Sequence, residues 1–310
     1  MKIYYSLCGE GLGHATRALA LSKELPYDFT FFTYGKAADL LRANDKEVIE
    51  IKGLKFAYSN NKINTYKTVL GALEFCLKEK TKFHGVPDLC ISDWEPTLYK
   101  FARQIDVPLI EVASQFKFRF RNQKVNNPYI YLISLMTRFY GADEYIVPSF
   151  QFEYVATKDR PKVTPVFGFT SLKKKSSDHL LIYTNSEALT NKILMDFKND
   201  YKSSNIVIFD PTSKIPAREF HSYLVHADRV ASTAGTQLVS ECASMGIPIN
   251  IYPIKNQPEQ TINCDDAVSL GIAHSGYSMT QCDKKYVGLD GTQQAVEIIK
   301  KYENKKPVYL

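Results

Sequence analysis

Apolar residues recur along the chain in two spacings that follow one another in regular order. Short runs made mostly of apolar residues, such as 3–7 and 109–113, are typical of parallel strands that are buried on both faces. Stretches with apolar residues three or four positions apart, such as the one that contains Leu21 and Leu25, are typical of helices that pack on a sheet. Because the two spacings alternate, the sequence predicts an α/β fold with parallel sheets.

The same order repeats in the second half of the chain, where an apolar run at 179–183 begins a new series and a last helix is predicted at 292–302. Between the halves, 158–165 is charged and proline-bearing, which is typical of an interdomain hinge. We therefore expect two Rossmann-like, doubly wound domains, 1–165 and 166–310, that face each other across a cleft, with the last helix crossing back to the first domain.

The composition is that of a globular protein with room for two domains: the chain has 310 residues, 45% of them hydrophobic and 23% charged. The formal net charge of +6 is spread along the chain, which favours phosphorylated ligands or an anionic membrane surface over nucleic acid, for which no binding motif is present. The six cysteines are scattered without a Cys-x-x-Cys pair, so neither a zinc site nor a disulfide framework is indicated.

The location of the protein is predicted from its apolar segments. The apolar stretch at the amino terminus is too short for a signal peptide, and no run approaches the length of a membrane-spanning helix, so we expect a cytoplasmic protein. Aromatic and cationic residues alternate at 114–121 and, with 126–140, are compatible with peripheral contact with a membrane. An ordinary strand with one solvated face also explains the alternation, and we favour it.

Candidate chemistry is concentrated in a turn of small hydroxyl residues, 232–236, which precedes a helical pattern and which we name the hydroxyl turn. The first N–H groups of a helix have no intrahelical partner, and the helix dipole favours an anion beside them. Gly235 allows backbone to approach a ligand, and Glu241 could accept hydrogen bonds from two neighbouring sugar hydroxyls. Hydroxyl donors are added by Ser232, Thr233 and Thr236. We expect a phosphate or diphosphate here; a plain helix N-cap with a solvated Glu is the alternative.

A second concentration follows the first predicted strand, in residues 9–14, which we name the glycine turn. Its three glycines lack the Gly-x-Gly-x-x-Gly spacing of a dinucleotide-binding turn, and the second strand does not end in the carboxylate that would bind a ribose. Imidazole ionises near neutral pH, so His14 is suited to take a proton from an acceptor hydroxyl or to hydrogen-bond a phosphate. Capping or packing is the alternative for His14, and Arg17 could either reach a phosphate or form a structural ion pair.

Two carboxylates are predicted at the end of a buried strand, in Asp93-Trp94-Glu95-Pro96. Ligands bind at the carboxyl ends of parallel strands, so Asp93 or Glu95 is a candidate for acceptor binding or for assisting the base. Helix capping is the alternative for Asp93, because an Asp just before a helix that starts at a proline is well placed to cap it.

Taken in order, these motifs resemble the GT-B glycosyltransferases of family 28, which include the peripheral-membrane N-acetylglucosaminyltransferase of peptidoglycan synthesis and have the UDP-glucuronosyltransferases as more distant relatives. The patterns are Gly-x-Gly-His-x-x-Arg from Gly11, Asp-x-x-Pro from Asp93, and Ser-x-x-Gly-Thr-x-x-x-x-Glu-x-x-x-x-Gly-x-Pro from Ser232. A later Glu-Gln-x-x-Asn, in a predicted loop at 255–263, completes them. The resemblance covers essentially the whole chain.

The resemblance implies a role for each matching residue. The hydroxyl turn would hold the diphosphate, Glu241 the ribose, and Gln260, with Asn263 beside it, the donor sugar. The turn at 184–186 has no glycine where the family is usually glycine-rich, which leaves the donor less defined. The candidate donor-binding residues are Gly11, Gly13, Arg17, Thr184, Asn185, Ser232, Thr233, Gly235, Thr236, Glu241, Gln260 and Asn263. The candidate catalytic residues are His14, Asp93 and Glu95.

The function that the resemblance implies is a glycosyltransferase of the hexosyltransferase type. It would move a sugar from a nucleoside diphosphate sugar, UDP-sugar being favoured, to a hydroxyl of a glycan, a lipid-linked or a small-molecule acceptor, with inversion. No metal and no cofactor besides the donor are implied, and the sequence has no strand-end Asp-x-Asp to chelate one. A nucleotide-sugar hydrolase or epimerase on the same fold, or a non-catalytic donor-binding subunit, are the alternatives.

Overall fold

The computed structural model divides the chain into two units, one made of 1–57, 64–168 and 290–310 and the other of 58–63 and 169–289. The structure describes residues 1–53, 55, 57–59, 62–64, 66–68, 70–71, 81–117, 141–150, 162–164, 166–167, 173–175, 179–210, 212–213, 215–216, 219–255, 257–282 and 290–303.

In the first unit, a parallel sheet has the strand order β3-β2-β1-β6-β7-β8-β9. Its strands are β1 (Lys2–Leu7), β2 (Asp28–Thr33), β3 (Glu47–Glu50), β6 (Leu89–Asp93), β7 (Leu109–Val112), β8 (Glu144–Pro148) and β9 (Lys162–Thr164). Its helices are α1 (Leu12–Glu24), α2 (Gly35–Arg42), α3 (Thr97–Gln104) and α8 (Thr292–Lys300), and a 3-10 turn spans Ser114–Phe116. The last helix, α8, packs against α1, and Gln293 Nε2 donates to Glu24 Oε2 at 3.3 Å.

In the second unit, a parallel sheet has the order β11-β10-β12-β13-β14. Its strands are β10 (His179–Tyr183), β11 (Ile206–Phe209), β12 (Ala227–Ser232), β13 (Ile249–Ile251) and β14 (His274–Ser275). Its helices are α4 (Glu187–Phe197), α5 (Phe220–Val225), α6 (Thr236–Met245) and α7 (Pro258–Ser269), and a 3-10 turn spans Ser203–Asn205. A small antiparallel pair, β4 (Tyr58–Ser59) with β5 (Lys62–Ile63), also belongs to this unit.

Each sheet is buried by helices that pack on it, as the short apolar runs predict. In the first unit, Tyr4, Phe32, Leu98 and Leu109 belong to one buried cluster. In the second, Leu180, Ile182, Phe197 and Ala231 belong to another. The α/β fold with two parallel sheets is therefore confirmed.

Three local predictions are wrong. The predicted hinge at 158–165 contains β9, which pairs with β8, because the backbone between its prolines completes the edge of the first sheet. Residues 258–263 are helical rather than a loop, because Pro258 and Glu259 provide the preferred first turn of a helix. The strand favoured for 114–121 is a 3-10 turn over Ser114–Phe116. The remainder of the candidate membrane surface, 118–140, lies outside the described residues.

Candidate active site

The predicted site residues lie at the point in each sheet where the strand order reverses. In the first sheet the order runs outward in both directions from β1 and β6, and Leu7 pairs with Asp93 at the ends of these strands. In the second, the reversal is between β10 and β12, where Tyr183 pairs with Ser232. Loops that leave such a point diverge and create a crevice beyond the carboxyl ends of the strands, which is where ligands bind in this class of fold.

In the first unit, a buried carboxylate organises the site. Asp93 is 0% exposed, and its Oδ1 lies 2.7 Å from both His14 Nδ1 and Arg17 Nη2. Arg17 Nε and the Tyr5 hydroxyl donate to Oδ2 at 3.1 and 3.3 Å. Burial disfavours the charged form of Asp93, but Arg17 and then His14 outweigh it, so the pKa of Asp93 lies below its ordinary value. The carboxylate is therefore ionised and its two neighbours are held in place.

This geometry decides which nitrogen of His14 carries the proton. Arg17 Nη2 lies 2.9 Å from His14 Nδ1, but a guanidinium has only hydrogen-bond donors. Arg17 therefore cannot accept a hydrogen bond from Nδ1. The carboxylate of Asp93 accepts from both groups, so we assign the proton to Nδ1 and leave the lone pair on Nε2. A neutral His14 in this tautomer can accept a proton at Nε2, and the imidazolium that forms is stabilised by Asp93.

The two carboxylates of this strand end differ in what they contact. Glu95 is buried, and its Oε1 accepts from the hydroxyl and the backbone N–H of Thr97, at 2.8 and 3.3 Å, at the start of α3. Asp93 points instead to His14 and Arg17. The capping that the sequence suggested for Asp93 is thus provided by Glu95. Between them, Trp94 has a left-handed backbone with φ of 57°.

The glycines of the glycine turn have different surroundings. A Cβ on Gly9 would lie 2.0 Å from the Tyr34 carbonyl oxygen, so the packing of the fold itself requires glycine there. A Cβ on Gly11 would meet nothing within 4 Å, so packing within the described residues does not require glycine at this position. Gly13 lies in the first turn of α1. Gly11 therefore leaves open space at the start of α1, beside His14.

In the second unit, the hydroxyl turn leads directly into α6. Gly235 is the N-cap, and a Cβ there would also meet nothing within 4 Å. Thr236, only 6% exposed, has a hydroxyl without a hydrogen-bond partner among the described residues. Ser232 donates to the Tyr183 carbonyl at 2.8 Å and so ties β12 to β10, while the carbonyl of Thr233 accepts from Gly235 N–H at 2.8 Å. The start of α6 thus offers donors that no described residue accepts from.

Glu241 lies one and a half turns into α6 and is 2% exposed. Its Oε1 accepts from Gln237 Nε2 at 3.0 Å and lies 3.6 Å from His221 Nε2 on α5. Burial lowers the pKa of His221, but the hydrogen bond and charge of Glu241 outweigh it, so the net pKa is raised. The carboxylate is thus held at one oxygen, and Oε2 has no partner among the described residues.

The remaining donor-site candidates support neighbouring backbone. The Thr184 hydroxyl lies 2.7 Å from that of Thr190 and 3.1 Å from the Ser186 carbonyl, whereas Asn185 is exposed. Gln260 Oε1 accepts from Ile254 N–H at 2.9 Å. Asn263 is 1% exposed, and its Nδ2 donates to the carbonyl of Ala234 at 2.8 Å. Asn263 therefore braces the hydroxyl turn from α7.

Sequence reasoning missed three residues of these clusters: Tyr5, His221 and Gln237. Gln237 could have been found, because it lies four positions before Glu241 on one helix. The other two reach the site from a separate strand and a separate helix, and no local spacing indicates such contacts. Among the described side chains, no group of three or more His, Cys, Asp or Glu could hold a metal ion. No helix in the described part of the chain is long and apolar enough to cross a bilayer.

Comparison with known proteins places these features in context. The family model described as glycosyl transferase family 1 matches residues 1–288. An uncharacterized glycosyltransferase of Methanosarcina acetivorans is 24% identical over 317 residues, covering 85% of this chain and 82% of the relative. One of Methanosarcina mazei is 25% identical with the same coverage.

Solved structures similar to this chain share its fold at low identity. MurG of Acinetobacter baumannii has a TM-score of 0.55 at 15% identity, over 97% of this chain and 99% of that one. The calicheamicin glycosyltransferase has a TM-score of 0.56 at 14% identity, over 97% and 98%. A Streptomyces sp. SF2575 glycosyltransferase complexed with thymidine diphosphate has a TM-score of 0.58 at 13% identity, over 97% and 99%.

Proposed function

The chain belongs to glycosyl transferase family 1, and on that premise we propose that it transfers a hexose from a nucleoside diphosphate sugar, UDP-sugar in the first instance, to an acceptor hydroxyl with inversion. It is a glycosyltransferase with the GT-B fold. The assignment of roles to individual residues rests on the motifs that resemble family 28 and on the geometry of the two clusters.

The observation that carries the proposal is the contact between His14 Nδ1 and the buried Asp93 carboxylate, at 2.7 Å. In this role Nε2 of His14 removes the proton of the acceptor hydroxyl while the oxygen attacks the anomeric carbon of the donor. The bond to the departing phosphate oxygen breaks on the opposite face, which inverts the anomeric configuration. Asp93 stabilises the imidazolium, and a positioned base of this kind contributes about 10²–10⁴-fold to the rate.

The second unit provides for the leaving group. The N–H groups at the start of α6 and the hydroxyl of Thr236 would bind the diphosphate, whose negative charge grows as the glycosidic bond breaks. Glu241 would accept from the ribose hydroxyls through the oxygen that Gln237 and His221 leave open. Gln260 and Asn185 are the candidates for contacts to the sugar and phosphates. No metal is assigned a role, because helix N–H groups supply the electrostatic stabilisation.

The acceptor is a hydroxyl compound whose class, whether a glycan, a lipid-linked or a small molecule, is open to experiment. Peripheral membrane contact is part of the proposal only for a lipid-linked acceptor. The complex of the Streptomyces glycosyltransferase with thymidine diphosphate supports a nucleoside diphosphate as the donor part, so both UDP and thymidine diphosphate sugars belong in the test.

The proposal is tested by a thermal-shift screen against nucleotides and nucleotide sugars, followed by product analysis with a panel of acceptors. We expect stabilisation by a nucleoside diphosphate, its loss in Glu241→Ala, and a glycoside with inverted configuration that forms only when acceptor is present. A flat response across the panel contradicts the proposal. Release of free sugar at one rate with and without acceptor identifies a hydrolase, and a new epimer of the donor identifies an epimerase. Binding of UDP without turnover with any acceptor indicates a non-catalytic donor-binding subunit.

A further inference from the structure

Behind the turn that presents Asp93 lies a carboxyl group that the mechanism does not use. Glu111 is on β7, in register with Ser92 of β6, and is 1% exposed. The hydroxyl of Tyr99, on α3, donates to its Oε2. The Trp94 backbone N–H and the Ser92 hydroxyl also hydrogen-bond to it. Glu111 therefore contacts the strand end and the helix that flank Asp93.

The hydroxyl of Ser92 lies close to two acceptors. It donates to the backbone carbonyl of Glu95, at 3.0 Å. It also contacts Glu111, where a hydrogen bond from it favours the charged carboxyl and lowers the pKa. A serine hydroxyl has one proton to donate, so these two hydrogen bonds compete for it.

The surroundings of Glu111 favour its uncharged form. Burial raises the pKa of Glu111 well above its ordinary value, and the neighbouring charges of Asp93 and Glu95 raise it further, against the lowering effect of its hydrogen bonds from Ser92 and Trp94. Among the described residues no cation contacts Glu111. Arg17 and His14 instead contact Asp93, which keeps its charge. Two carboxyl groups of one strand pair thus have different protonation states, set by which of them contacts the guanidinium of Arg17.

We propose that Glu111 is a positioning residue for the transfer reaction: as an uncharged carboxylic acid, it fixes the turn at Trp94 and thereby the placement of Asp93 against His14. The left-handed backbone of Trp94 is unfavourable for a bulky residue and persists only when its surroundings hold it. The hydrogen bond from Trp94 N–H to Glu111 is such a restraint, one residue from Asp93. This inference rests on the proposed function in so far as His14 is the base.

The test compares Glu111→Gln, which retains one donor and one acceptor group, with Glu111→Leu, which retains only volume. For Gln we expect kcat within about threefold of wild type, and for Leu a loss of about tenfold or more, because the Trp94 N–H is left without its acceptor. The donor KM should change little in either variant, since Glu111 does not contact the hydroxyl turn. Nitrogen chemical shifts of the His14 imidazole should report the Nδ1–H tautomer in wild type and Gln, and a mixture of tautomers in Leu.

A second readout needs no activity. A folded state that keeps a proton on Glu111, where the unfolded chain releases it above about pH 4.3, loses about tenfold in its folding constant for each pH unit of rise. The Gln variant has no such proton, so its stability relative to wild type should increase steadily from pH 5 to pH 8. A difference that does not change with pH would mean that Glu111 is ionised, and would overturn the proposal.

Two further results distinguish the possible failures. If Glu111→Leu does not fold, Tyr99→Phe removes only the hydroxyl that contacts Glu111 and should shift the His14 tautomer in the same direction, by less. A Leu variant that folds and keeps both the wild-type tautomer and kcat would reduce Glu111 to a space-filling residue and overturn the inference. If His14→Ala transfers sugar at the wild-type rate, the proposed function fails, while the tautomer and the stability slope still decide the role of Glu111.

Discussion

At the two points where the strand order reverses, a parallel strand leads through a glycine-bearing turn into a helix. The polar groups at the two points differ in whether they are paired within the protein. At the end of β6, Asp93 accepts hydrogen bonds from three side chains, Tyr5, His14 and Arg17. On α6, the hydroxyls of Thr236 and Ser240 and the side-chain amide oxygen of Gln237 are buried without a hydrogen-bond partner among the described residues.

The difference indicates what each end of the reaction requires. A base must have its proton-bearing nitrogen and its orientation fixed before the substrate arrives, so its partners belong to the protein. A binding site for a diphosphate must keep donors uncommitted until the ligand takes them. A buried, unpaired polar group costs about 1–3 kcal/mol, which makes the unpaired hydroxyl of Thr236 at the start of α6 hard to explain by folding alone. We expect substitutions at the first point to affect turnover or stability, and those at the second to affect donor binding.

The largest effect should follow from Asp93→Asn. The amide cannot stabilise the imidazolium and favours the other tautomer of His14, so kcat should fall about 10³–10⁴-fold. Steady-state kinetics at saturating donor checks this, with circular dichroism to confirm the fold. Retention of more than a tenth of the wild-type kcat would contradict the role of Asp93.

Arg17→Met should reduce stability most, because it leaves the buried carboxylate of Asp93 without its principal cation. Removing one member of a buried ion pair costs about 3–5 kcal/mol. Chemical denaturation measures the loss. The double variant Arg17→Met with Asp93→Asn is the control, since it leaves no unpaired charge. Its cost should be less than the sum of the single costs, and strict additivity would show that the pair is not coupled.

Glu241→Gln should weaken donor binding and leave the side-chain contacts of the first unit little changed. A hydrogen bond to a charged group contributes about 1.5–3 kcal/mol, so the Kd for UDP should rise about 10- to 100-fold. Calorimetric titration with UDP measures this. Glu187→Gln, an exposed acid at the start of α4 in the same unit, is the matched control and should bind as wild type. Equal affinity in Glu241→Gln and its control would remove Glu241 from the donor site.

Thr236→Val should have the smallest effect of these substitutions, and it should affect donor binding without affecting stability. Thr236→Val removes a hydroxyl that makes no hydrogen bond within the described residues, so the free energy of unfolding should hardly change while the Kd for UDP rises about three- to tenfold. Ser232→Ala is the comparison, because it deletes a hydrogen bond to Tyr183 and should cost about 1 kcal/mol of stability. Loss of stability in Thr236→Val without loss of affinity would reverse the interpretation of the hydroxyl turn.

Much of the fold could be predicted because its signals are local. Apolar runs located the strands of both sheets to within a residue or two, except β9 and β14, and the position of Gly246 marked the end of α6, where its φ is 66°. The errors also have local causes. A three-residue edge strand such as β9 is too short to stand out between prolines. Pro258 was interpreted as a loop residue, although a proline is favoured at the first position of a helix.

The candidate site could be predicted only in part, because its contacts cross the sheet. Nothing in the spacing of His14, Arg17 and Asp93 shows that one carboxylate contacts both of the other side chains across 76 and 79 residues. Nor does the sequence around Glu111 or His221 distinguish a buried partner from an ordinary sheet or helix residue. The sequence motifs identified which residues could bind a phosphate or transfer a proton. Which side chains contact one another is set by the register of β1 with β6 and of β6 with β7.

The most direct test of the account measures the kcat for sugar transfer and the Kd for UDP side by side in His14→Ala. The account predicts that kcat falls at least about 10²-fold while the Kd stays within about twofold of wild type, because the imidazole acts on the acceptor and the donor is bound by α6. Transfer at the wild-type rate would contradict the assignment of His14 as the base. A loss of UDP affinity as large as the loss of turnover would contradict the separation of the two roles.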